Sequence, residues 1–254
     1  MIPITFKVLS LPFFQNKLFI LHFSWMYIFN RLAGFSTRQI NNKKTPPVTM
    51  ARSRYPRPSN DELVSTLNSS NAIGFLIARN PYERLISAYR DKIVGAFRNS
   101  LHDKLSKIIV VKYRHILPKN YQHGVTVPTF KEFVTYILDE YQAGHELDMH
   151  WTPAYSFCNP CQVNLSHIIK FETFDRDTDA ILEQVKLKHL LPPTGKLAQN
   201  KSKDSKETSN SLIEKYLNEL TPNLRKGLIE LYGVDFDIFD YDRKEKFEVR
   251  PTQK

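Results

Sequence analysis

Arg79, Arg84 and Ser87 form the pattern in this chain best suited to do chemistry. They stand within Ile77–Tyr89 (IARNPYERLISAY), around an Asn80-Pro81 step. A planar guanidinium grips a phosphate or sulfate in a two-point fashion that a lysine ammonium does not reproduce. A serine hydroxyl about two turns into a following helix adds a donor when it faces the same crevice. Arg84 precedes Ser87 by three positions, so the two share a helix face. The chemistry on offer is the holding of a phosphate. As an isolated pattern, however, it fits better a turn flanked by two solvated arginines.

The elements needed to position such a set are legible on either side. Ala72–Ala78 (AIGFLIA) is a short apolar run of the kind found in a buried parallel strand. After Pro81, Leu85, Ile86, Tyr89 and Ile93 fall on one face of a helix. A helix N-terminus offers N–H groups and a partial positive charge to an anion. Arg79 then sits at the carboxyl end of a strand, where open α/β sheets bind ligands. His167–Phe171 (HIIKF) reads as a second buried strand, followed by Glu172-Thr173 and a helix over Asp177–Lys188.

Elsewhere, a helix over residues 24–34 starts at a Ser24 cap and ends at Gly34. Asn41–Asn60, basic and proline-rich, is expected to be an extended surface loop, and Asp61–Leu67 a short helix. Ser106–Val111 fits strand or helix. Thr129–Tyr141 is an amphipathic helix with Thr129 and Glu132 at capping-box spacing. Gly195–Asn210 is a lysine-rich polar insert. Leu212–Tyr232 holds two helices divided at Thr221-Pro222, and Asp235–Tyr241 is an aromatic-acidic tail packing its rings on the body. Strands alternating with helices give an α/β class with a small parallel sheet.

The 254 residues suffice for one sizeable domain, and 41% hydrophobic with 24% charged residues excludes a disordered chain. A net charge of +10 calls for a polyanionic partner: nucleic acid, an acidic membrane face or an acidic polysaccharide. No RNP-like, zinc-finger or helix-turn-helix signature favours nucleic acid, and the G-x-x-x-x-G-K-[ST] loop of phosphate-binding kinases is absent from the sequence. Cys158 and Cys161, in C-N-P-C, are too few for a metal site, and a structural or disulfide role is the simpler reading. Leu18–Phe29 is an apolar run of 12 residues. It would reach about 18 Å as a helix, against roughly 30 Å of bilayer core. It is therefore expected to be a buried helix, with a weak signal-anchor as the alternative. Residues 1–23 are set apart as atypical, 24–242 as the main domain and 243–254 as a basic tail.

These residues resemble the carbohydrate sulfotransferases of the chondroitin/dermatan 4-O-sulfotransferase type. That family carries R-[DEH]-P-F-E-R-L-V-S-A-Y-R after a strand, and Arg79–Arg90 here reads RNPYERLISAYR. The likeness continues through His150-Trp151-x-Pro153, Cys158-x-Pro160-Cys161, Lys170-Phe171-Glu172-Thr173 and Asp235-Phe236-Asp237-Ile238-Phe239-x-Tyr241, in the family's order, over roughly residues 70–241. It implies a P-loop-like sulfotransferase fold, a small parallel sheet flanked by helices. The implied donor is 3′-phosphoadenosine 5′-phosphosulfate, with no metal, and the implied acceptor an N-acetylgalactosamine hydroxyl of an acidic glycosaminoglycan. The implied place is the Golgi lumen, in a type II membrane protein. Arg79, Pro81, Arg84 and Ser87 take the 3′-phosphate side of the cofactor site. His150 becomes the candidate base, since imidazole titrates near neutrality, although a structural role for the His150-Trp151 turn fits as well. Glu172 and Lys170, and the basic loop at Lys43, Lys44, Arg52, Arg54 and Arg57, are weaker candidates. Asn68, Asn164 and Asn200 head N-x-[ST] sequons compatible with a secretory route.

One departure stands out. The family cradles the 5′-phosphosulfate in a loop of the form P-K-V-[AG]-[SC]-T-[NS]-W. Here Leu18–Trp25 reads LFILHFSW, with Phe19 at the lysine position and only Ser24-Trp25 retained. An alternative start or a mis-joined exon produces such a junction. The expectation is a chain that keeps the 3′-phosphate half of the site and transfers sulfate weakly or not at all.

Overall fold

The computed structural model describes residues 19–42, 44–70, 72–114, 127–188 and 209–243. In chain order these form α1 (Phe19–Leu32), α2 (Thr37–Ile40), α3 (Pro47–Arg54), α4 (Asn60–Leu67), β1 (Phe75–Ala78), α5 (Pro81–Ala88), a π-helical turn (Tyr89–Val94), α6 (Leu101–Tyr113) and α7 (Phe130–Gln142). There follow α8 (Ala154–Cys158), β2 (His167–Lys170), α9 (Phe174–Gln184), α10 (Ser209–Asn218) and α11 (Pro222–Ile238). The class is mixed α/β, mostly helical. Its two strands pair in parallel, Phe75 opposite His167 through Ala78 opposite Lys170.

The chain divides into two compact units, residues 1–79 with 158–208, and residues 80–157 with 209–254. The first unit holds α1–α4, the sheet and α9. Its core gathers Trp25 and Ile28 of α1, Ile169 of β2, and Phe174, Ile181 and Leu182 of α9. Trp25 stacks 4.4 Å from Phe75 of β1. The second unit is helical. Tyr82, Leu85 and Ile86 of α5, Phe130, Phe133 and Ile137 of α7, Trp151, and Leu228, Tyr232 and Phe236 of α11 share one core. The aromatic load explains why short helices hold: each ring buries far more apolar area than an aliphatic side chain.

Several elements follow the sequence closely. Thr129 and Glu132 close the capping box of α7, and Thr221 caps α11 with Pro222 at its first position. Ser59 and Glu62 close another at α4. The helix after the first strand and the pairing of the two strands are also as expected.

Three expectations change and one open choice closes. α1 begins at Phe19, so Ser24 lies inside the helix and not at its start, while Gly34, at φ +90°, ends it as read. Residues 47–54 are helical, because Pro47 occupies a first-turn position that needs no N–H. Met50 and Ala51 of that helix are buried, and Asn30 of α1 donates to the Pro47 carbonyl at 2.9 Å. Ser106–Val111 belongs to α6. Most of Asp235–Tyr241 is the last turn of α11, with Phe236 and Phe239 buried as expected. The segment 195–208, most of residues 1–23 and the tail beyond 243 lie outside the described residues. Among the described residues no helix is long and apolar enough to cross a membrane.

Candidate functional site

In the first unit, β1 and β2 end side by side at Ala78 and Lys170. The next residue of each strand carries a side chain that meets the other, with the Arg79 guanidinium 4.4 Å above the Phe171 ring. An arginine stacked on an aromatic face loses little rotamer freedom when it binds an anion. Arg79 is half-buried at the carboxyl end of the sheet. The Cys158-x-Pro160-Cys161 block belongs to the same unit, with Cys158 buried, Cys161 exposed and no disulfide between them.

In the second unit the N-terminus of α5 differs from the expected anion cradle. Asn80 accepts from the Tyr82 and Glu83 backbone N–H groups at 2.9 and 3.4 Å, and Pro81 has no N–H to give. The first turn is satisfied by its own cap, so its contribution to an anion is the helix dipole. Pro81 is buried. Ser87 is half-buried further along α5, and its hydroxyl makes no hydrogen bond to any described residue.

Arg84 is buried and turned to other work. Its Nη2 donates to the Thr152 carbonyl and, at 3.4 Å, to the Met149 carbonyl; its Nη1 lies 3.8 Å from Asp235. Asp235, 1% exposed, accepts from Ala154 N at 2.6 Å and Tyr155 N at 2.7 Å, capping α8. Burial pushes the Asp235 carboxyl up, and those two N–H groups and Arg84 oppose it. Tyr232 donates to the Trp151 carbonyl at 2.5 Å. Three sequence blocks far apart in the chain thus converge on the backbone around His150.

His150 is held by that knot and by Asp148. Asp148 Oδ1 lies 2.5 Å from His150 Nδ1 and accepts the His150 N–H at 2.8 Å, while Oδ2 lies 3.2 Å from His102 Nε2. Burial alone would raise the Asp148 carboxyl, but the hydrogen bonds from His102 and His150 overcome it and hold it well below the carboxylate range. An ionised carboxylate only accepts, so His150 Nδ1 carries a proton and donates it to Asp148 Oδ1. Such an aspartate-oriented imidazole suits proton abstraction.

Of the weaker candidates, Glu172 is exposed in the turn before α9. The carboxylate at that helix start is instead Asp177, which accepts from Thr173 Oγ1 at 2.5 Å. Sequence reasoning passed over Asp148, His102 and Asp235. The D-x-H spacing of Asp148 and His150 was visible in the sequence; the approach of His102 from α6 and the capping by Asp235 are tertiary facts.

The profile of the sulfotransferase family matches residues 22–242. Mouse (Mus musculus) carbohydrate sulfotransferase 11 is 30% identical over 169 residues, 66% of this chain and 46% of that protein. Human (Homo sapiens) carbohydrate sulfotransferase 9 is 30% identical over 167 residues, covering 65% and 37%. Zebrafish (Danio rerio) carbohydrate sulfotransferase 11 is 28% identical over 221 residues, covering 79% and 61%. The chain spans about half the length of such relatives. No solved structure matches it. With most of its length matched, the chain belongs to the sulfotransferase family.

Proposed function

We propose that the chain is a carbohydrate sulfotransferase of P-loop-like fold. Its donor is 3′-phosphoadenosine 5′-phosphosulfate and its acceptor an N-acetylgalactosamine hydroxyl of a chondroitin- or dermatan-type glycan, met in the Golgi lumen. Arg79 and Ser87 hold the 3′-phosphate, with Pro81 setting the start of α5. Arg84 enters as a positioning residue that fixes the His150 turn. His150 Nε2 takes the acceptor hydroxyl's proton as its oxygen attacks sulfur and the nucleotide phosphate leaves. Asp148 holds the imidazole in the required tautomer and stabilises the imidazolium. The observation that carries this is the Asp148–His150 pair locked by Arg84, in a chain whose relatives are named carbohydrate sulfotransferases. The net charge of +10 suits an acidic glycan.

A second reading, nucleotide binding with little transfer, is favoured by α1. The stretch that replaces the lysine loop is helical from Phe19. From the second turn of α1 onward the N–H groups are taken by carbonyls four residues back, and Phe19 stands where the family has its lysine, so that lysine's charge is not there to hold a phosphosulfate. Radiolabelled sulfate transfer to desulfated chondroitin, dermatan and heparan separates the two. The enzyme reading expects transfer to the galactosamine glycans, falling by about 10²–10⁴-fold in His150→Ala. Nucleotide binding without transfer to any acceptor favours the second reading.

A further inference from the structure

His102, Asp148 and His150 also make a donor set of a different kind. They come from two separate elements, His102 from the first turn of α6 and the others from the turn before α8. One ligand atom from each can be chosen so that all lie within 4.8 Å of one another. All three side chains are half-buried, so an ion is reachable from solvent yet partly desolvated once bound. The two imidazole rings meet edge to face at a centroid distance of 5.3 Å.

We propose that this triad binds a divalent late first-row cation, Zn²⁺ above all, through two imidazole nitrogens and one carboxylate oxygen, leaving the fourth position to water. Two nitrogens and an oxygen are a common three-residue set for zinc, and the single carboxylate disfavours the all-oxygen shells of Mg²⁺ and Ca²⁺. The site is built on anchored backbone. Ser100 accepts from Asp103 N to cap α6, and the Asp148 carbonyl accepts from Trp151 N at 3.0 Å and Thr152 N at 2.9 Å. Donors about 2.0–2.2 Å from a tetrahedral ion stand roughly 3.4 Å apart. The side chains therefore close on the ion by rotation, with the backbone fixed. The cation takes the place of the N–H protons that now link each ring to Asp148. Each neutral imidazole then carries its proton on the other nitrogen, so the ion-loaded site cannot use His150 Nε2 as a base and metal binding opposes sulfate transfer; nothing is oxidised or reduced.

Binding is read without turnover, so this inference and the sulfotransferase reading fail separately. The full 254-residue chain, stripped with chelator, is titrated with Zn²⁺ by calorimetry and with Co²⁺ by visible absorption. The expected result is one ion per chain, intense tetrahedral Co²⁺ bands, and affinity at least about tenfold weaker in His102→Ala and in Asp148→Asn. Cys161→Ser and His145→Ala, which alter an exposed thiol and a surface His145–Glu140 pair, should bind as wild type. Absence of saturable binding, or binding that survives His102→Ala and is lost in Cys161→Ser, overturns the proposal. Should His102→Ala fail to fold, His102→Gln is substituted, and the wild-type Co²⁺ spectrum still decides: an octahedral spectrum contradicts the site.

Discussion

Asp148 serves two imidazoles with its two oxygens, and that economy makes it the residue on which the His150 turn depends. Its carboxyl pKa is depressed in the folded chain, so the stability it contributes is complete above the ordinary carboxylate range and is lost as pH falls through the folded value. Asp148→Asn should therefore lower the unfolding free energy at neutral pH, with the difference from wild type shrinking in strong acid; denaturant titrations across pH check it. A constant difference at every pH would assign Asp148 a packing role only. Arg84 makes a sharper case. A cofactor ligand can be removed without harm to the empty protein, whereas removal of Arg84 strands Asp235 in the core. Arg84→Ala should cost about 3–5 kcal/mol in the absence of nucleotide, read as a fall in the denaturation midpoint. An unchanged midpoint would return Arg84 to the ligands. The R-x-P-x-x-R-x-x-S spacing was legible as arginines and a serine, but direction was not. Which way a guanidinium turns depends on carbonyls and a carboxylate supplied from about 65 to 150 residues further along the chain.

At the scale of elements, α5 shows how a correct outline can carry a wrong detail. The strand, the Asn-Pro step and the helix were all readable, since an apolar run, a Pro at the first helical position and a 3.6-residue period are local signals. The free N–H groups expected at its start are closed by Asn80, itself a strong capping residue. Asn80→Ala should destabilise the protein by about 1 kcal/mol, while Asn80→Asp should keep both the cap and the melting temperature. Equal melting for all three would mean the cap is idle. α3 was misread for the opposite reason. Its prolines and arginines suggest a loop, yet burial of Met50 and Ala51 outweighs weak propensity, a tertiary effect no local pattern reports.

For the molecule as a whole, the central proposal is that this chain keeps the half of the cofactor site that reads the 3′-phosphate. In the first unit the Arg79–Phe171 stack stands at the sheet's carboxyl end, while a helix occupies the place of the lysine loop. The parallel pairing of β1 and β2 was inferable from two buried runs. The meeting of Arg79 with Phe171 followed only once their register was known. The most direct test compares calorimetric affinities for 3′,5′-adenosine bisphosphate and for 5′-AMP, which lacks the 3′-phosphate, in the wild type and in Arg79→Ala. One charge-assisted contact is worth about 1.5–3 kcal/mol, so the bisphosphate should bind about 10- to 150-fold tighter than 5′-AMP in the wild type. Arg79→Ala should erase most of that gap. Equal affinity for the two nucleotides, or a gap that persists in Arg79→Ala, would contradict the account.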